Sequence, residues 1–134
     1  MSQLLQCGAK SIAADVTLVT TTETIVLTSD AMPLPFITGK ALIEAILSII
    51  PGADVTGVNI RIRRGTLVTS PVVGPVWTHG GGLGAGAQTT FLAGVTDFLE
   101  NVALAQYVVT AQQVAATANG AVKAAYLRTD LITG

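Results

Sequence analysis

Short runs of β-branched and aliphatic residues recur along this chain of 134 residues, separated at fairly even spacing by glycine, proline, asparagine and aspartate. Residues 15–20 and 23–28 are two early runs, and residues 89–97, 105–112 and 121–131 are the last three. Short strands at regular spacing are typical of β-sandwiches and barrels. We count about eight strands and predict an all-β fold, an antiparallel two-sheet β-sandwich of the jelly-roll type, with residues 1–134 as one domain.

Two segments of the middle region predict strands on different grounds. Residues 58–63 (VNIRIR) alternate aliphatic and polar side chains, which is typical of a strand with one buried face. Residues 40–50 have a composition that favours a helix, but a strand would end naturally at the Pro-Gly turn of residues 51–52. We therefore favour a strand there.

Turn residues predict how two further segments lie in the sheets. Pro75 removes a hydrogen-bond donor from residues 72–78, so this segment is expected at a sheet edge or in an irregular strand. The Asn-Gly pair at residues 119–120 is a hairpin signal. It predicts a long hairpin that pairs residues 107–116 with residues 121–130.

The chain is unusually poor in charge. Only 11% of its residues are charged and 50% are hydrophobic, whereas a soluble domain has about 25% charged residues. We therefore expect copies of the chain, or another protein, to cover apolar surface. A formal net charge of −1 predicts no attraction to nucleic acid or to an anionic membrane. The longest apolar stretch, residues 41–51, contains Glu44 and is far shorter than the roughly 20 residues of a membrane span.

No motif in the sequence indicates catalysis or a cofactor. His79 is the single histidine and Cys7 the single cysteine, so a transition-metal site is not expected. The glycine-rich residues 80–86 are not followed by the Gly-Lys-Ser or Gly-Lys-Thr of a phosphate-binding loop. We predict a protein that is not an enzyme, binds no cofactor and uses the glycine-rich segment as an interface loop.

Candidate interface residues come from three segments. Residues 1–11 lie outside the strand pattern and are expected to form an extended N-terminal arm that carries two leucines. Three arginines fall within residues 61–64, where they would either bind acidic groups of a partner or form a solvated face. The third segment is the glycine-rich loop. The residues that we expect at an interface are Leu4, Leu5, Arg61, Arg63, Arg64, His79 and Leu83.

The order of these features resembles small jelly-roll virion proteins of tailed bacteriophages. The resemblance rests on the threonine-rich residues 16–28, the Pro-Leu-Pro step at residues 33–35, the Pro-Gly turn before the arginine-rich strand, and the closing segment over residues 106–127. The resemblance extends over most of the chain and lies in the spacing of its predicted strands. It implies a capsid decoration or cement protein that binds the outside of a phage shell and bridges subunits of the major capsid protein as a dimer or trimer. The resemblance implies that the protein lies on the virion surface, and in the host cytoplasm during assembly.

A second resemblance leaves an alternative open. Trimeric heads of viral fibres and spikes have a similar strand rhythm, and such a head would bind a host glycan or receptor. Exposed aromatic side chains commonly bind sugars, and Trp77, close to His79, is the one tryptophan of the chain. The scarcity of aromatic residues, at 4%, speaks against such a head.

Overall fold

A computed structural model describes residues 4–34, 38–80 and 86–133, without the side chains of Leu5, Gln6 and Thr133. These residues form eleven β-strands and no helix, which confirms the all-β prediction with more strands than expected. The strands are β1 (Leu4–Ser11), β2 (Val16–Leu18), β3 (Thr24–Thr28), β4 (Met32–Pro33), β5 (Thr38–Ile50), β6 (Gly57–Arg64), β7 (Val72–Gly80), β8 (Thr89–Glu100), β9 (Leu104–Ala105), β10 (Tyr107–Val114) and β11 (Gly120–Thr133).

Two antiparallel sheets contain the eight strands of five or more residues. The large sheet has the order β1-β11-β5-β8, with β2 beside β11, and the small sheet has the order β3-β10-β6-β7. Numbered along the chain, the eight longer strands have the orders 1-8-3-6 and 2-7-4-5. This is the strand order of a jelly roll, so the predicted fold is confirmed. Strands β4 and β9 form a separate short pair.

The core lies between the two sheets and is mainly aliphatic. Val58, Ile60 and Ile62 of β6 are fully buried, whereas Arg61 and Arg63 point to the outer face. In β5 the odd-numbered residues from 41 to 49 are buried in the same way. Both strands therefore bury one face, as predicted for residues 58–63, and residues 40–50 are strand rather than helix.

The predicted hairpin over residues 107–130 is wrong. Strand β10 pairs with β3 and β6 in the small sheet, whereas β11 pairs with β1, β2 and β5 in the large one. The connection between them crosses from one sheet to the other. A Cβ atom on Gly120 would lie 2.4 Å from Oε1 of Gln113 and 2.8 Å from the carbonyl oxygen of Ile50. Close packing of this connection, rather than a hairpin turn, therefore explains the glycine at residue 120.

The predicted N-terminal arm is also corrected. Residues 4–11 form β1, which pairs with β11 from Leu4 opposite Ile132 to Ser11 opposite Tyr126. These residues belong to the chain's own large sheet, and residues 1–3 lie outside the described part. The prediction for Pro75 is confirmed on both counts. It lies in β7, an edge strand, whose pairing with β6 shifts register between Ile60 and Ile62.

Candidate interaction surface

The outer face of the small sheet carries a network of charged and polar side chains. Arg63 donates to both carboxylate oxygens of Glu23, with Nε–Oε2 and Nη2–Oε1 distances of 2.8 Å, and its Nη1 donates to the Ser70 carbonyl at 2.7 Å. The hydroxyl of Thr110 donates to Glu23 Oε2 at 2.5 Å. Arg61 donates to Oε1 of Gln112 at 2.8 Å. The two guanidinium groups therefore have partners within the chain.

The environment of Glu23 favours its charged form. Burial alone would raise the pKa of this carboxyl, but hydrogen bonds from Arg63 and Thr110 and the charges of Arg63 and Arg61 outweigh burial and hold the pKa below its usual value. The hydrogen bond to Glu23 likewise raises the pKa of Arg63. The pair is thus a fixed structural ion pair at neutral pH.

A second ion pair connects the two sheets. Arg64 of β6 donates to Asp97 of β8 through Nε and Nη2, at 2.7 and 2.5 Å. Asp97 is only 6% exposed, and it also accepts a hydrogen bond of 2.7 Å from the hydroxyl of Tyr107. Burial and this hydrogen bond raise the pKa of Tyr107, so its hydroxyl remains a donor.

The remaining predicted interface residues have different surroundings. Leu4 lies exposed on β1, whereas Leu83 and the side chain of Leu5 fall outside the described residues. The ring of His79 packs on Phe91 with centroids 4.6 Å apart, and its Nε2 is buried without a hydrogen-bond partner among the described residues. Whether any of these residues, or the three arginines, contacts a partner stays a prediction.

Trp77 does not form an open platform for a sugar ring. It is half-buried and packs against the core between the sheets. Exposed aromatic faces are the feature on which the glycan-binding alternative depended. The geometry therefore gives the proposed sugar site at Trp77 no specific support.

The outer face of the large sheet is apolar, in contrast to that of the small sheet. Residues that point outward from β1, β5 and β8 include five large hydrophobic side chains that are exposed to solvent. We call this surface the apolar face, and its large residues are Leu4, Leu42, Ile46, Leu92 and Phe98. A shallow depression over Gly94 is lined by Leu42, Glu44 and Thr96. Clustered exposed apolar side chains mark interaction sites more often than scattered ones do.

Few charges interrupt the apolar face. Lys40 and Glu44 lie on β5, Glu100 ends β8, and Arg128 and Asp130 lie on β11. Arg128 Nε is 3.2 Å from Asp130 Oδ1 within the chain. Other exposed hydrophobic residues of the described part lie mainly on β7 and on the loop before it, including Leu67, Val68, Val72 and Val76. The apolar face thus carries five of the twelve exposed large hydrophobic side chains among the described residues.

The described residues bring together no set of side chains that suggests chemistry. They contain no group of three or more histidine, cysteine, aspartate or glutamate residues that could hold a metal ion. Cys7 is exposed, and a hydrogen bond with Asp130 raises the pKa of its thiol. That shift disfavours the reactive thiolate.

No helix within this part of the chain has the length and apolarity needed to cross a bilayer.

Comparisons with known proteins place the chain in no family. No protein-family model matches the sequence, and no curated protein matches it significantly. Among solved structures, a chain from Bacillus endospore appendages, described as forming "a novel family of disulfide-linked pili", is 14% identical with a TM-score of 0.38, over 98% of this chain and 89% of that one.

Two chains from infectious bursal disease virus also match. The Gx-strain chain is 12% identical with a TM-score of 0.45, over 95% of this chain and 35% of that one. The Gt-strain chain is 10% identical with a TM-score of 0.49, over 92% of this chain and 36% of that one. The chain thus spans about a third of the length of these viral chains. TM-scores below 0.5 establish neither a family nor a function, and the resemblance to tailed-phage proteins stays a prediction.

Sequence reasoning missed Asp97, Leu92 and Phe98, although the pattern of β8 contains a signal for all three. In this strand the odd-numbered residues 91–99 point inward and the even-numbered residues 90–100 point outward. A carboxylate at an inward position requires a buried partner, and large apolar residues at outward positions indicate a surface to be covered. The sequence alone does not show which residues of this strand point inward, so neither signal could be recognised from it.

Proposed function

We propose that this chain is a structural subunit of a virion-like protein shell, and specifically a decoration or cement protein that binds the outside of a bacteriophage capsid. The observation that carries the proposal is the apolar face of the large sheet. It faces away from the chain's own core, and its large residues include Leu42 and Ile46 of the central strand β5. The low charge content of the sequence supports the same role.

The physical basis of this role is burial of apolar surface. Each contact gains about 25 cal/mol per Å² of apolar area removed from water, before the entropic cost of association is subtracted. One such contact is modest, but many copies on a symmetric shell act together. The ion pairs of Arg63 and Arg64 stay within the chain in this role and stabilise the fold.

The test is co-sedimentation of the purified protein with capsid shells of tailed bacteriophages. The test variant carries Leu42→Lys and Ile46→Glu, which place a charge of each sign on the apolar face and leave the net charge unchanged. The matched control carries Leu67→Lys and Val68→Glu, at two exposed hydrophobic residues of the loop after β6. We expect the wild type and the control to sediment with a shell and the test variant to stay in the supernatant.

Two results would count against the shell role. One is equal sedimentation of the test variant and the control, which would show that the apolar face is not the contact. The other is wild-type protein that remains in the supernatant with every shell. In that case a proteinaceous partner of a different kind must cover the apolar face.

A further inference from the structure

Strand β8 differs from the other edge strands of the two main sheets. The pairing of β1 shifts register between Leu4 and Gln6, and the pairing of β3 shifts opposite Val109 and Thr110. Strand β7 contains Pro75 and has a register shift of its own. Such irregularities prevent an edge strand from pairing with another chain. Strand β8 pairs with β5 over twelve residues without any shift.

Two further devices that protect an edge, proline and lysine, are absent from β8, and its inward-pointing charge, Asp97, is already paired with Arg64. No other strand of the described residues pairs with the side that faces away from β5. Among these residues, the one side-chain contact with a β8 carbonyl is that of Arg64 Nη2 with Phe98 O, at a long 3.5 Å. The main chain of β8 is therefore available for a further strand.

The side chains of β8 fit a second copy of the same strand. Leu92 is 66% exposed and Phe98 is 76% exposed, both on the outward side. A two-fold axis normal to the sheet pairs residues that point to the same face. A two-fold axis through Gly94 pairs residues 89–99 of one copy with the same residues of the other, and an axis through Val95 does so for residues 90–100. Of these two axes, only the one through Val95 places Leu92 opposite Phe98 of the partner subunit. The symmetry gives two such contacts in the dimer.

The inward side of β8 is compatible with the same register. Phe91 would lie opposite Leu99 of the partner subunit, and Ala93 opposite Asp97 of the partner subunit. Asp97 already has Arg64 and Tyr107 as partners, so pairing would leave this carboxylate with its counter-charge. Cross-strand pairs of an aromatic and an aliphatic side chain stabilise antiparallel sheets.

We propose that two copies of this chain pair through the free edges of β8, antiparallel and in the register centred on Val95, so that one sheet continues across both copies. The inference rests on the proposed assembly role and names one partner within it, a second copy of the chain. Main-chain hydrogen bonds hold the two edges together, and the two Leu92–Phe98 contacts fix the register.

The first test compares two double variants by sedimentation equilibrium. In Leu92→Lys/Phe98→Lys, like charges face each other twice, and the dimer is expected to dissociate at least about tenfold more readily than the wild type. In Leu92→Lys/Phe98→Glu, opposite charges face each other, and the dimer persists. Both variants are checked for native circular dichroism. A monomeric wild type at about 100 µM, or equal weakening in the two variants, overturns the inference.

The second test locates the register by cross-linking. In a Cys7→Ser background, Leu92→Cys/Phe98→Cys places thiols opposite each other in the proposed register. The control, Thr90→Cys/Leu92→Cys, places two thiols on the same strand but far from those of the partner subunit. Oxidation is expected to give a disulfide-linked dimer of the first variant only. Equal cross-linking of both variants, or of neither, contradicts the register.

The same variants distinguish failure of this inference from failure of the proposed function. Leu92→Lys/Phe98→Glu adds charge to the apolar face, so it loses shell binding if that face contacts a shell, yet it retains the dimer. Leu42→Lys/Ile46→Glu lies on β5, which pairs with the opposite side of β8 from the free edge, so the dimer is expected to persist. Each proposal can therefore fail while the other holds.

Discussion

Arg64 and Asp97 form a bidentate ion pair that connects the small sheet to the large one, with Nε–Oδ2 and Nη2–Oδ1 distances of 2.7 and 2.5 Å. The two partners differ in exposure, because Asp97 is buried whereas more than a third of the Arg64 side chain reaches solvent. A buried charge without a partner costs far more free energy than an exposed one. The pair is therefore energetically asymmetric.

This asymmetry predicts unequal costs for removing either partner. Arg64→Met leaves the carboxylate of Asp97 buried with Tyr107 as its remaining partner, and we expect a loss of about 3 kcal/mol in the free energy of unfolding. Asp97→Asn keeps an acceptor for Tyr107 and frees Arg64 to turn toward water, so about 1 kcal/mol is expected. Urea unfolding of both variants measures the difference. A larger loss in Asp97→Asn than in Arg64→Met would contradict it.

Glu23 predicts how stability changes with pH. Its pKa is lower in the folded chain than in the unfolded chain, so its contribution is present above the unfolded value of about 4.3 and is lost as the pH falls through the folded value. We expect Glu23→Gln to be less stable than the wild type at pH 7 and to lose less stability on acidification.

Thermal unfolding between neutral pH and about pH 3 measures this effect. Glu44→Gln is the matched control, because it removes one negative charge from an exposed position of β5. If Glu23→Gln lost stability on acidification as steeply as the wild type and the control, the Arg63–Glu23 pair would not be the source of the acid sensitivity.

The sequence predicted most strands of this fold but misjudged which of them pair. Alternation in residues 58–63 and the proline at residue 75 are local signals, and they correctly predicted a buried face and an edge strand. Pairing is not local in a jelly roll, because several consecutive strands lie in opposite sheets. The Asn-Gly turn at residues 119–120 therefore marked a crossing between sheets, where a hairpin was expected.

The candidate site was harder to predict than the fold for a related reason. The three arginines of residues 61–64 were visible in the sequence, but their partners Glu23 and Asp97 are 40 and 33 residues away. The apolar face combines residues from β1, β5 and β8, which only the sheet order brings together. Composition predicted exposed apolar surface, and the topology shows which exposed apolar residues lie on one sheet face.

Gln113 is a buried polar side chain that joins three connections of the fold. Its Oε1 accepts a hydrogen bond of 2.7 Å from the backbone N–H of Gly52, and its Nε2 donates to the carbonyls of Thr20 and Ala118 at 2.9 and 3.3 Å. Gln113→Leu would leave the Gly52 N–H buried without a partner. We expect a loss of about 2–4 kcal/mol.

The neighbouring Gln112 provides the control for this prediction. It is half-buried on the outer face of the small sheet, where water can replace its hydrogen bonds with Arg61 and Thr21. Gln112→Leu is therefore expected to cost less than about 1 kcal/mol. Urea unfolding with a constant m-value is the measurement, and equal losses in the two variants would refute the proposed role of Gln113.

Removal of residues 1–11 tests the corrected view of the N-terminus. The described side chains of β1 are largely exposed, so their loss removes little apolar burial from the core. It does uncover the edge of β11 from Tyr126 to Ile132, which β1 otherwise pairs. We expect the truncated chain to keep a native circular dichroism spectrum but to form oligomers beyond the dimer, because an exposed long edge pairs with other chains.

A synthetic peptide of residues 1–13 with Cys7→Ser should reverse this association, because it restores the missing strand to the edge of β11. A peptide of the same composition in scrambled order has no matching register and should have no effect. Size-exclusion chromatography with light scattering follows both mixtures. If the truncated chain kept the wild-type oligomeric state without any peptide, β1 would not be protecting the edge of β11 from other chains.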